Sequence, residues 1–305
     1  MRKLLLEEDG LVVSSTYKKG MFLSLGGVLI FSPDALLIRL SDVDTLTLLF
    51  SRGTLGGTIM LLGYVLVSRT GFLGPLKSLG KWGLVVVFLQ SLNALLFYSA
   101  FAYTSAANIL IAFACIPLFS ALLARVFLNE AISAQTGWAI AGAGLGLIVV
   151  ASGGLGKINM IGDALALLNA LFLAVNLTIL RGHQEVNMIP AVSVGMAVGG
   201  LFAGLYIWLF AQFPPITSLQ LTWLVVGGAV MLPLALTMLT QAPRYLPVPE
   251  VAMITLLEAI LGPFWVWWVV NENPGLNSLV GGSIVILVLF IHSYWKLRLE
   301  RQASR

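Results

Sequence analysis

Glu258 lies about nine residues into an apolar stretch that begins near position 249. A carboxylate at that depth in a bilayer is costly and normally faces a bundle interior or a watery cavity. On a helix, Ile254 and Thr255 share its face on one side, and Leu261, Gly262 and Trp265 on the other. A Glu beside a Trp can recognise a cationic or aromatic solute, or carry a proton. The plainer alternative is a structural Glu held by a buried amide or hydroxyl. Asp34 follows Pro33 in the first apolar stretch, where the proline removes a backbone donor and can kink a helix. Arg39 and Arg52 lie at a similar depth. A structural ion pair between Asp34 and Arg52 therefore competes with a substrate contact at Asp34.

Neutral polar residues complete the candidate set. Gln90, Asn93 and Phe97 share one helical face, and Tyr98 follows on the same span. Asn169 and Asn176 are seven apart and share a face of another span, while Asn108 opens the fourth near the outer surface. Each amide alone reads as interhelical hydrogen-bond glue. Together they would form a polar cavity for zwitterions or heterocycles. Trp265, Trp267 and Trp268 surround the outer end of the ninth span, where an interfacial anchor is expected. Enzyme signatures are missing: the chain has no HExxH, CxxC or GxSxG pattern. His183 and His292 have no Asp or Cys at ligand spacing, so no metal or cofactor is expected. Cys115 is the single cysteine, which excludes an intrachain disulfide.

The elements that must position these residues are membrane helices. The chain is 59% hydrophobic and 10% charged, against about 25% charged for a typical soluble domain. Trp82 to Ala124 is a run of 43 residues without Asp, Glu, Lys, Arg or His. As one helix it would reach about 64 Å, twice the hydrocarbon thickness. It must reverse, and Tyr103-Thr104-Ser105 is the polar interruption. Pro214 and Pro215 mark the reversal of the second uncharged run, Asn187 to Pro243. Ten helical spans follow, at 20–39, 46–68, 82–102, 106–127, 134–152, 161–181, 189–210, 220–240, 249–270 and 277–296. Lipid leaves no partner for an open backbone, and the runs lack the alternation of a β-barrel.

Shifted by 142 positions, the chain matches itself without a gap. The pairs include Gly20/Gly162, Arg39/Arg181, Gly57/Gly199, Tyr103/Tyr245, Asn129/Asn271 and Glu130/Glu272. Asp34 falls on Asn176. Each copy carries five spans. An odd number sends the chain into the second copy from the opposite side, so the two halves are inverted, a common plan for secondary transporters. The organisation read here is a cytoplasmic tail at 1–19, a first repeat at 20–152, a linker at 153–160, a second repeat at 161–296 and a basic tail at 297–305. The first nineteen residues do not read as a signal peptide, because Leu11-Val12-Val13 is short and Glu7-Glu8-Asp9 interrupts it. Glycines at 53, 56, 57, 142, 144, 146, 195, 199 and 200 are expected to permit close helix contact.

Two segments carry a family resemblance. Pro117-Leu118-Phe119-Ser120 through Asn129-Glu130 resembles the end of the first EamA repeat of the drug/metabolite transporter superfamily. Leu256-Leu257-Glu258-Ala259-Ile260-Leu261-Gly262-Pro263 through Asn271-Glu272 resembles the same region of the second. Gly162-Asp163-Ala164-Leu165 and Arg52-Gly53 match further repeat landmarks. The resemblance covers about 18–295. It departs where the family usually has Pro after the ninth-span Glu and this chain has Ala259. Pro263 is expected to interrupt the helix one turn later instead. The resemblance implies ten helices, a central cavity lined by the first, third, fourth, sixth, eighth and ninth, and export or exchange of small metabolites such as amino acids or nucleobases. The expected partners are a small-molecule substrate, the lipid bilayer and a coupling proton or ion, with no nucleic acid. A monomer or a homodimer fits equally. A membrane scaffold or sensor that binds a ligand without moving it is the rival reading.

With the N-terminus inside, the inner side carries 14 Lys and Arg residues and the outer side 3, namely Arg39, Arg52 and Lys157. The positive-inside rule then places both termini in the cytoplasm, at a plasma or bacterial inner membrane. In a Cys115→Ser background, cysteines at Gly156 and Asn273 should react with an impermeant thiol reagent from outside, and cysteines at Ser78 and Gln184 should not. Outside labelling at Ser78 or Gln184 would reverse the orientation.

Overall fold

The computed structural model describes residues 2–69, 74, 79–104, 106–153, 160–271 and 275–303. Within these, the side chains at 2–15, 98, 101, 102, 106, 107, 297 and 299–303 are left undescribed. Ten helices among the described residues are long and apolar enough to cross a membrane. They are α1 (Thr16–Ser41), α2 (Thr45–Ser68), α3 (Gly80–Phe97), α4 (Asn108–Phe127), α5 (Ala134–Ser152), α6 (Met160–Gly182), α7 (Ile189–Phe210), α8 (Ser218–Arg244), α9 (Val248–Val270) and α10 (Gly275–Lys296). The helix that contains the first span already begins at Arg2. Large apolar side chains such as Leu66, Phe88, Trp138, Trp208 and Leu287 remain exposed. In a bilayer these face lipid.

The packing is unchanged when the halves are exchanged. α2 packs on α7, α4 on α9 and α5 on α10, each pair mapping onto itself. α3 packs on α6 and α1 on α8, and these two pairs map onto each other. The recurring sequence pairs now have physical reasons. A Cβ on Gly20 would fall 2.8 Å from Tyr245 Cβ, and one on Gly162 would fall 2.8 Å from the Tyr103 carbonyl carbon. Each first helix thus presses its glycine against the reversal of the other half. Asn129 and Asn271 end equivalent helices with φ of 53° and 59°. That left-handed region is one Asn tolerates better than most residues.

Four spans are irregular, and two of the breaks are equivalent. α4 breaks at Cys115, whose N–H donates to Ala112 O at 3.0 Å. α9 breaks at the matching position, where the Leu257 N–H donates to Ile254 O at 3.1 Å. Pro117 follows the first break, whereas Ala259 stands at the equivalent place in α9. The expectation that Pro263 interrupts α9 is corrected: the helix runs unbroken from Glu258 to Val270, and the break lies before Glu258. Packing against the other half enforces it without a proline. α1 breaks at Ser32–Pro33. α8 contains a π-helical turn over Val226–Met231, just before Pro233. Such turns occur often at functional sites.

Glycine sets the spacing of α2 and α7. A Cβ on Gly57 would fall 2.4 Å from Ser193 O, and one on Gly53 would fall 2.8 Å from Gly200 Cα. Gly144 does not serve this purpose, since a Cβ there meets nothing within 4 Å. Gly57→Ala should therefore lower stability by about 1–3 kcal/mol through overpacking. Gly63→Ala, into open space, should be neutral or slightly stabilising. Thermal unfolding in detergent measures both, and equal Tm values would contradict the tight α2–α7 crossing.

Candidate functional site

The break in α1 places Asp34 at the start of a short outer segment, Asp34–Ser41. Its carboxylate accepts a charge-assisted hydrogen bond from the Arg52 guanidinium of α2. Both residues are buried, at 6% and 5% exposure. The π-helical turn of α8 makes room for Arg52. A Cβ on Gly228 would lie 3.2 Å from Arg52 Cα, and Gly227 also faces the guanidinium. Asp34, rather than Asp42 or Asp44, is thus the partner the arginine finds in its hydrocarbon-level position. Asp44 instead caps α2, accepting from the Leu46 and Thr47 amides at 3.0 Å. Burial alone would raise its pKa, but these bonds and the Thr47 hydroxyl hold it below the usual Asp range. Arg39 is exposed in the last turn of the Asp34–Ser41 segment.

Glu258 opens the outer half of α9, directly after the break. It is only part-buried. It forms no hydrogen bond and no contact ion pair among the described residues. The charges that act on it are Asp34 and Arg52. The face it begins lies on the break of α1. A Cβ on Gly262 would touch Ala35 Cβ at 3.2 Å, and Trp265 Nε1 donates to Ser32 Oγ at 2.9 Å. Trp265 therefore holds the outer half of α9 to the residue before Pro33. Its ring also packs on Trp268, with centroids 5.6 Å apart, while Trp267 and Trp268 are exposed toward lipid.

The amides lie between α3 and α6. Asn169 Nδ2 donates to the Asn93 backbone carbonyl at 2.8 Å and to Asn93 Oδ1 at 3.3 Å. Asn176 Nδ2 donates to Gln90 Oε1 at 3.0 Å. Asn93, Asn169 and Asn176 are all buried. Their remaining atoms, Asn93 Nδ2, Asn169 Oδ1 and Asn176 Oδ1, have no partner. Buried polar atoms left unpaired are costly. The same residues thus act as glue and hold unused hydrogen-bonding capacity. Tyr98 lies on the same helix, but its side chain is outside the described residues.

Sequence reasoning passed over Glu250. It is 3% exposed and accepts from Tyr17 Oη at 2.9 Å, with Lys296 Nζ at 3.1 Å and His292 Nε2 at 4.0 Å. Its signal was the 142 shift, which places it on Asn108. Asn108 Nδ2 donates to Asp163 Oδ1 at 3.0 Å. Arg181, equivalent to Arg39, donates to Glu130 at 2.7 Å and to the Pro243 and Arg244 carbonyls. His183 packs on Trp82, with centroids 4.8 Å apart. No group of three or more His, Cys, Asp or Glu side chains among the described residues could hold a metal ion. A cleft of about 150 Å³ between α9 and α10 is lined by Ala259, Pro263, Phe264, Trp267 and Gly282. It is apolar and lies on a different face of α9 from Glu258.

These features define an all-helical membrane protein of two inverted five-helix repeats, with charged and amide side chains gathered between the halves. The chain belongs to the EamA-like transporter family, whose profile matches residues 18–152 and 160–294. It is a membrane protein of the drug/metabolite transporter type. A solved structure titled "Crystal structure of protein" superposes with a TM-score of 0.76 at 16% identity, covering 92% of this chain and 98% of the other. At that identity the likeness shows the fold alone. No curated protein sequence matches significantly.

Arg52→Ala should leave Asp34 buried without a counter-charge. Removing one partner of a buried pair costs about 3–5 kcal/mol. Folded yield and Tm should fall together. A wild-type Tm would mean that Arg52 is solvated.

Proposed function

We propose that this protein moves small polar or amphipathic metabolites, such as amino acids or nucleobases, out of the cytoplasm or in exchange, by alternating access between its two repeats. The setting proposed is the plasma or inner membrane, with both termini cytoplasmic. One observation carries the reading: Glu258 is a part-accessible carboxylate without a hydrogen bond, beside a pair that already balances itself. Asp34 and Arg52 sum to zero. An ionised Glu258 then leaves one negative charge at hydrocarbon depth, and low dielectric makes that costly. Three species could neutralise it: a proton, a coupling cation or the cationic group of a substrate.

The other residues supply recognition around that charge. Trp265 offers an indole face two turns further along the same side of α9, and aromatic faces attract cations. Asn93, Asn169, Asn176 and Gln90 present donors and acceptors from the α3–α6 side, suited to a carboxylate or heterocycle. Family membership supports transport over the rival scaffold or sensor, and flux decides between them.

Untargeted comparison of metabolites exported by cells with and without the protein should reveal the solute. Glu258→Gln should then abolish that flux while the protein still folds, because Gln keeps shape and hydrogen bonding but not charge. Glu258→Ala should also lose transport. Full flux by the Gln variant would remove Glu258 from the mechanism and move attention to Asn93, Asn169 and Asn176. Ligand binding without any flux would favour the sensor.

A further inference from the structure

Two polar clusters outside the central site stand at opposite faces of the membrane and are related by the repeat. At the inner face, Tyr17 at the start of α1 donates to Glu250 at the start of α9 at 2.9 Å. Lys296 and His292 of α10 complete the surroundings of that carboxylate. At the outer face, Asp163 at the start of α6 accepts from Asn108 of α4 at 3.0 Å and from Thr104 at 2.6 Å. Thr104 also accepts from Asn108 at 2.9 Å. Each cluster ties the first helix of one repeat to the fourth helix of the other. Glu250 and Asn108 are the same repeat position. The glycine contacts of Gly20 with Tyr245 and of Gly162 with Tyr103 lie directly beside them.

The local backbone gives these contacts a purpose beyond packing. Glu250 rides on the short segment Val248–Thr255, and Asn108 on Ala106–Ala114. Each segment ends at the equivalent break, Leu257 or Cys115, where a three-residue hydrogen bond replaces the helical one. A segment bounded by such a break can swing without unfolding the rest of its helix. Glu258 directly follows the break of α9, and the amides stand on the unbroken α3 and α6.

We propose that Tyr17–Glu250–Lys296 and Thr104–Asn108–Asp163 are the inner and outer latches of the transport cycle, both closed in this structure, hinging at Leu257 and Cys115. The latches differ in chemistry. The inner one confronts a buried carboxylate with a lysine and a histidine. The outer one binds its carboxylate with an amide and a hydroxyl. This proposal rests on the transport reading above. Loss of one hydrogen bond should shift a closed–open equilibrium about fivefold.

The test needs no known substrate. A reporter cysteine at Asn176, in a Cys115→Ser background, is labelled with an impermeant maleimide in vesicles of either sidedness. Tyr17→Phe should raise labelling from the inner side about fivefold and leave outer labelling without a rise. Asp163→Ala should do the reverse. Glu250→Gln and Thr104→Val are second variants at each latch, should the first pair express poorly. Glu130→Ala breaks another inner-face contact, to Arg181, and should leave reporter labelling unchanged. Labelling insensitive to all four latch variants, or raised equally by Glu130→Ala, overturns the latches while leaving the transport reading to its own flux assay. A reporter that no variant exposes to either side overturns both the latches and the central cavity.

Discussion

Arg52 cannot enter the hydrocarbon layer without a counter-charge, and much of the architecture follows from supplying one. A buried guanidinium needs an anion and room for its bulk. The proline break in α1 delivers Asp34 to it. The paired glycines in the π-helical turn of α8 give it space. Trp265 then ties α9 to Ser32 at the edge of the same break. One ion pair thus brings α1, α2, α8 and α9 together at a single level. Glu258 arrives there as a third charge, with no contact ion pair among the described residues. The proposed recognition of a solute rests on this contrast between a balanced pair and an unbalanced neighbour.

The twofold relation decides where irregular backbone is tolerated. Lipid offers no hydrogen-bond partner, so breaks belong where helices face protein. α4 and α9 cross each other, and both break at the same repeat position. The relation is kept in the scaffold and abandoned in the site. α1 and α8 are broken and bulged, whereas their equivalents α6 and α3 run straight. The straight pair carries the amides, whereas the break of α1 carries Asp34 and the π-helical turn of α8 gives room to Arg52 of α2. The repeat supplies the frame, and divergence between the copies gives the two helix pairs unlike side chains.

The frame was legible in the sequence because its causes are local or periodic. Long uncharged runs set ten spans, and a single offset aligned the halves. The site was legible only residue by residue. Intramembrane charges announce themselves, so Asp34, Arg52 and Glu258 were visible. The Asp34–Arg52 pair was legible as one of two readings of Asp34; that Glu258 stands near it was not, since it comes from the other repeat. The break in α9 was hidden because Leu256 and Leu257 favour a helix and no proline follows. Glu250 was hidden for a different reason: beside Pro247 and Pro249 it reads as a solvated helix start. Only folding places it against Tyr17 and Lys296.

The central claim is that the site lacks one positive charge. The most direct measurement is the thermal shift of the purified protein against a panel of amines, amino acids, nucleobases and simple anions. Solutes with an ammonium or another cationic group should stabilise the wild type and leave Glu258→Gln unmoved. Stabilisation by purely anionic solutes, equal in wild type and Glu258→Gln, would contradict the account.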